Sequence, residues 1–139
     1  KEYVTLVSGV PKESSGTINR AISRHPVHRH RMTVGEGGRP SRTDWSVEKS
    51  FGDRAALLRC RIHTGRTHQI RVHLKSIGYP VLGDATYGWK PDAAMPAVPR
   101  VMLHAEHLVF AHPISAKEMD LHAPLPADFK QLVSALKKI

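Results

Sequence analysis

The densest run of chemically capable side chains is His63-Thr64-Gly65-Arg66-Thr67-His68-Gln69-Ile70-Arg71-Val72-His73-Leu74. A strand-like alternation ends at Gly65, and the period then changes. Ile70, Leu74 and Ile77 follow i, i+4, i+7, the stripe of a short helix over 67–77 that Gly78 ends. Arg66, His68, Gln69, Arg71 and His73 therefore gather at the start of that helix. A helix N-terminus presents unbonded N–H groups and the positive end of the helix dipole, so two arginines added there would make an anion site. Ile70 and Leu74 line either a pocket or the core, and core is the default for apolar residues at helical spacing.

Net charge points the same way. Lys and Arg number 21 against 12 Asp and Glu, giving +9 and a pI of about 10.1. A domain this basic meets phosphate, and nucleic acid is the commonest phosphate polymer. A second basic run, His25-Pro26-Val27-His28-Arg29-His30-Arg31, with Arg20 and Arg24 before it, reads as a loop whose arginines, Arg29 and Arg31 among them, would contact a phosphate backbone. The 10 histidines raise the question of a metal. No H-E-x-x-H and no cysteine pair is present, so no metal site is expected, and the clustered rings add partial positive charge instead. The single Cys60 excludes an internal disulfide, fits a reducing cytoplasm, and sits in an alternating run as a small core residue. No run of about 18 apolar residues is present, so no membrane helix is expected.

The elements that must hold these residues can be read in outline. Lys1 to Gly9 alternates as a strand, with Tyr3, Thr5 and Val7 on one face and Val4 and Leu6 on the other. Turn residues fill 11–16, the pattern weakens over 18–31, and 35–40 forms a second turn. Arg42 to Phe51 and Ala55 to His63 alternate around Gly52-Asp53, which predicts an antiparallel hairpin. Residues 78–99 read as a long structured loop, 103–112 and 118–122 as strands, and 126–139 as a helix with Phe129, Leu132, Val133 and Leu136 on one stripe. Hairpins mixed with scattered helices predict an α+β fold, a mostly antiparallel mixed sheet with a few flanking helices.

The order of the residues adds a resemblance. Thr64 to Leu74 resembles the T-G-R-T-H-Q-I-R-V-H-L motif of the RluA-type RNA pseudouridine synthases, and Gly78-Tyr79-Pro80-Val81-Leu82-Gly83-Asp84-Ala85-Thr86-Tyr87-Gly88 follows their G-x-P-[IV]-x-G-D-x-x-Y-G. Lys1 to Gly9 is similar to K-x-Y-x-A-x-V-x-G, and Arg39 to Val47 follows G-K-x-A-x-T-x-[YW]-x-V. Leu103-His104-Ala105, His112-Pro113 and Ala123-Pro124-Leu125-Pro126 match L-H-A, H-P and A-P-x-P. The resemblance spans nearly the whole chain.

What the resemblance implies is the isomerisation of uridine to pseudouridine in RNA, without cofactor or metal. The target nucleotide is flipped out of its stack, an aspartate acts on it, the glycosidic bond breaks, and the uracil turns so that C5 bonds to the sugar. That aspartate belongs to an H-R-L-D motif upstream of K-x-Y, and none of this chain's aspartates matches it. The expectation is therefore a C-terminal portion of a catalytic domain, residues 1–139, inactive by itself. The absence of an initial methionine fits a fragment. Tyr3 matches the tyrosine that stacks on the uracil and helps remove the C5 proton. Arg71 matches the basic residue that pairs with the catalytic aspartate. Arg66, Thr67, His68 and Gln69 are expected at the RNA or in structural contacts, and Asp84 in a turn. The expected partner is ribosomal RNA, with transfer RNA possible, and the expected state a cytoplasmic monomer. The rival reading is a non-catalytic RNA-binding module that kept the pocket's shape.

Overall fold

Alternation with both faces apolar is the mark of a strand buried on both sides, and β1 (Glu2–Ser8) is such a strand: Val4, Thr5, Leu6 and Val7 are each at most 2% exposed. In the computed structural model, which describes residues 1–139, it is followed by β2 (Ser15–Asn19), β3 (Ile22–Arg24), β4 (Met32–Val34), β5 (Arg42–Phe51) and β6 (Ala55–Ile62). Then come helix α1 (Gln69–Ser76), a one-turn 3-10 segment at Ala85–Tyr87, β7 (Leu103–Ala111), β8 (Glu118–His122) and helix α2 (Ala127–Leu136). Six strands form one sheet in the order β2-β5-β6-β1-β7-β8, and β3 and β4 form a separate hairpin. Every strand pairing is antiparallel, and with two helices packed on the sheet the expected α+β fold, a mostly antiparallel sheet with flanking helices, is what the chain forms.

The two faces of β1 organise the core. Val7 packs with Trp45, Leu58, Cys60, Ile70 and Leu74, which seats α1 on one face of the sheet. Val4 and Leu6 pack with Phe51, Phe129, Leu132 and Leu136, which seats α2 on the other. Phe129 is fully buried, and truncating such a side chain to alanine costs about 3–5 kcal/mol. Cys60 is fully buried as well, and burial pushes its thiol pKa up to about 12, so it is a core residue and not a nucleophile.

Strand β2 lies where the sequence reads as turn and irregular chain. Its Ser-Gly-Thr-Ile-Asn run buries only Ile18, so the apolar alternation that announces a strand is missing. The strand exists because β5 offers it an edge, with Gly16 paired to Trp45. A Cβ on Gly16 would stand 2.7 Å from the indole, so only glycine lets the chain cross that ring. Partner and packing, not propensity, decide such a strand.

Between Glu2 and Tyr3 the register of β1 against β7 shifts: Glu2 pairs with His107 and Tyr3 with Ala105, leaving Glu106 as a bulge. Bulges of this kind re-aim side chains along a strand.

Candidate active site

Helix α1 is anchored by polar contacts that its motif residues make with one another. The Gln69 side chain is 3% exposed. Its Oε1 accepts from the Thr64 hydroxyl at 2.7 Å and the Arg66 N–H at 3.1 Å. Its Nε2 donates to the Arg42 carbonyl at 2.9 Å and to Thr43 Oγ1 at 3.0 Å. With all of this amide's bonds made internally, Gln69 does not reach a phosphate, and of the two roles expected for it, RNA contact or structural contact, it fills the structural one. Thr43 Oγ1 in turn donates to Nδ1 of the fully buried His73 at 2.8 Å, while His73 Nε2–H donates to the Arg20 carbonyl, also at 2.8 Å. A carbonyl only accepts, so the ring carries its proton on Nε2 and is neutral. Burial pushes its pKa down, which agrees.

The two arginines of the motif diverge. Arg66 donates from Nε and Nη2 to the Pro40 carbonyl, at 3.3 and 2.9 Å, and ties the loop before α1 to the start of β5. Arg71 points the other way. Its Nε and Nη2 donate to the two carboxylate oxygens of Asp84 at 2.7 and 2.8 Å. The single anion site expected from both arginines at the helix N-terminus is therefore not what the chain builds. Asp84 is 1% exposed, and its bond to the guanidinium raises the Arg71 pKa further, so the arginine is always charged.

Tyr87 completes this corner. Its ring lies under the Arg71 guanidinium, 5.1 Å from Cζ to the centroid. Its hydroxyl accepts from the Met32 N–H at 2.8 Å and shares a hydrogen bond with His68 Nδ1 at 2.7 Å. His68 is the N-cap of α1 in a left-handed conformation, φ 55°, so its ring turns back toward Tyr87 instead of capping the helix. His68 is thus a link between α1 and the β3–β4 hairpin, the structural one of the two roles the sequence left open for it. The sequence places Asp84 in a turn and Tyr87 only within the motif, and neither is expected to meet Arg71. Their spacing held the signal: residues three apart in a 3-10 turn eclipse, so D-x-x-Y places both on one side.

Cationic residues surround the corner. A cavity of about 480 Å³ is lined by Arg20, His25, Arg31, Lys75 and Tyr87 among others. Arg31 Nε lies at no measurable exposure with no hydrogen-bond partner. A second cleft of about 560 Å³ is lined by Arg24, Arg39, Arg66 and Thr67, and Met32 of β4 lines both. Arg29 is exposed on the same loop, its carbonyl accepting from Arg24 at 2.7 Å. The largest cavity, about 720 Å³, lies beneath residues 89–98 and shares none of these groups.

Tyr3 is half-buried on the α1 face of the sheet, packed against the cluster that contains Ile70 and Leu74. Ile70 and Leu74 are 4% and 0% exposed and belong to the core, so the pocket alternative for them falls away. No hydrogen bond of the Tyr3 hydroxyl, and none of Arg71 Nη1, is made within the chain.

The geometry can be set beside known proteins. The family described as RNA pseudouridylate synthase matches residues 1–76, more than half of the chain. The chain is 42% identical over 144 residues to ribosomal large subunit pseudouridine synthase D of Nitrosomonas europaea, covering 100% of this chain and 41% of that protein. It is 40% identical to the protein of the same name from Pasteurella multocida, covering 99% of this chain and 45% of the relative. Among solved structures, human RNA pseudouridylate synthase domain containing 1 superposes with a TM-score of 0.72 at 32% identity, covering 100% of this chain and 66% of that one. Human RNA pseudouridylate synthase domain containing 4, at 23% identity and a TM-score of 0.77, shares the fold. The chain spans less than half the length of these two bacterial relatives.

Proposed function

The chain belongs to the RNA pseudouridylate synthase family, and on that premise we propose that it supplies part of the active site of an enzyme that isomerises uridine to pseudouridine in RNA. The observation that carries this reading is the Arg71 guanidinium. Asp84 holds it by Nε and Nη2, which leaves Nη1 and the second Nη2 proton for another carboxylate. An arginine fixed in this way keeps an incoming aspartate ionised and sets its direction before any nucleotide arrives.

The aspartate itself comes from outside these 139 residues. Asp84 is buried against Arg71. Asp44 accepts from Thr17, His63 and Arg42, bonds that hold its pKa at about 2. Asp92 and Asp128 lie on Arg54 and Arg100, and Asp120 lies between two histidines. Asp53 sits in the β5–β6 turn, at the far end of that hairpin from Tyr3's partner Cys60. None stands in the open next to both Tyr3 and Arg71.

Tyr3 then presents an aromatic face on which the flipped uracil stacks, and its hydroxyl takes part in removing the C5 proton. The clefts beside β3 and β4 receive phosphates through Arg31, Arg66 and Lys75, with Thr67 at the rim and the exposed Arg29 on the neighbouring loop. The substrate is RNA, with ribosomal RNA favoured by the relatives' names and transfer RNA the second choice. The enzyme acts in the cytoplasm as a monomer, and the isomerisation uses no cofactor. The test is tritium release from RNA containing 5-tritiated uridine, with the 139-residue chain and with a form extended upstream to the length of its relatives. Release by the extended form alone supports the proposal. Release by the short chain would place the nucleophile inside it, and release by neither would favour an RNA-binding module.

A further inference from the structure

The register of the sheet edge brings together a group of ligands on the face opposite Tyr3. His107 of β7 pairs directly with His122 of β8, so the two side chains leave the sheet on the same side. Asp120 lies two residues before His122 and shares that side. The imidazoles stack, with centroids 4.1 Å apart and planes at 10°. Both turn Nε2 toward one carboxylate oxygen: His107 Nε2 is 2.7 Å and His122 Nε2 3.0 Å from Asp120 Oδ1. The candidate ligand atoms of the three residues all lie within 4.8 Å of one another.

The bulge at Glu106 adds a fourth residue. It sets Glu2 opposite His107, and the Glu2 carboxylate stands 3.6 Å from His107 Nδ1 on the far side of the ring, itself held by Arg61 at 3.0 Å. A carboxylate behind the ring of a ligating histidine, fixing its tautomer and raising its basicity, is a common outer partner of metal-bound imidazole.

We infer that His107, Asp120 and His122 form a binding site for a divalent transition-metal ion, with Zn²⁺ as the best match and Glu2 as its outer-shell partner. Two nitrogens and one carboxylate oxygen, without thiolate, suit Zn²⁺ and its neighbours better than Mg²⁺ or Ca²⁺, which favour all-oxygen ligand sets. Tetrahedral Zn²⁺ with bonds of about 2.0–2.1 Å needs ligand atoms roughly 3.3 Å apart. His107 and His122 Nε2 now stand 2.7 and 3.0 Å from Asp120 Oδ1, and because the side chains of Asp120 and His122 are 58% and 68% exposed, they can open to the wider spacing by changing rotamer without disturbing the core. Water takes the fourth position. The ion would cross-link β8, the last strand of the sheet, to β7.

Isothermal titration of the 139-residue chain with ZnCl₂ tests this. The expected result is one Zn²⁺ per chain, weakened more than about 100-fold in His122→Ala and in His107→Ala, and about 10-fold in Glu2→Gln. His25→Ala/His28→Ala, which removes the other histidine cluster, should bind as the parent does. Far-ultraviolet circular dichroism of each variant guards against misfolding. Co²⁺ should give visible absorption in the parent and lose it in Asp120→Asn. Absence of Zn²⁺ binding, unchanged affinity in His122→Ala, or loss of binding in the His25/His28 variant would each overturn the site.

Discussion

Arg71 and Asp84 meet through two parallel hydrogen bonds of 2.7 and 2.8 Å, with the carboxylate fully buried and the guanidinium side chain 19% exposed. The pair joins α1 to the 3-10 turn, and Tyr87 underneath ties both to the β3–β4 hairpin. The site's cation is thus fixed by the fold and not by a substrate.

Removing one partner of a buried ion pair leaves the other charge uncompensated, at about 3–5 kcal/mol. Arg71 keeps some contact with water, so Asp84→Asn should fall near the lower end, about 3 kcal/mol, read from the urea midpoint. Arg71→Lys should lose most of the same stability, since an ammonium cannot bridge two oxygens in parallel.

Gly83 adopts φ 86°, and a Cβ there would collide with the Arg100 carbonyl. Gly83→Ala combines strain with that clash immediately before Asp84, and a loss of roughly 2–4 kcal/mol is expected in thermal or urea unfolding. Gly78→Ala, also at positive φ but facing open space, should cost about 1 kcal/mol.

Acid should weaken the fold through His73. Burial lowers its pKa in the native chain below the ordinary 6.5, so on acidification the unfolded chain takes up the proton first. Stability from this residue is complete above 6.5 and falls as the pH drops toward the native value, by up to about 1.4 kcal/mol per pH unit. His68 is lowered too, chiefly by burial and then by Arg71, and adds to the same slope. Urea midpoints between pH 8 and pH 5 should show this loss, and His73→Leu, though less stable overall, should show a shallower one.

The cavity with the unpartnered Arg31 Nε should bind phosphate. Arg31→Ala is expected to weaken RNA binding and to lower the slope of log K against log salt by about 0.7–0.9. Neutralising Lys137 and Lys138, exposed at the C-terminal end, should leave the slope unchanged.

Much of this was legible in the sequence where burial leaves a period. The alternation of β1 and the i, i+4, i+7 stripe of α1 and of α2 follow directly from which faces are covered. Strand β2 left no such trace, because its pairing rests on Trp45 lying over Gly16. The motif showed which residues of α1 matter but not how they divide. Gln69 and His68 turned inward because every buried donor and acceptor of the loop before α1 needed a partner. The meeting of His107 with His122 depends on strand register, which spacing along the chain does not reveal.

The central claim is that Arg71 and Tyr3 serve the chemistry of uridine isomerisation while the clefts hold the RNA. Single-turnover tritium release by the upstream-extended form, measured beside RNA affinity in Tyr3→Phe and Arg71→Lys, tests it most directly. Release should fall by more than about 100-fold in each variant, with RNA affinity within about threefold of the parent. Release at the parental rate in either variant, or a loss of release matched by an equal loss of binding, would contradict it.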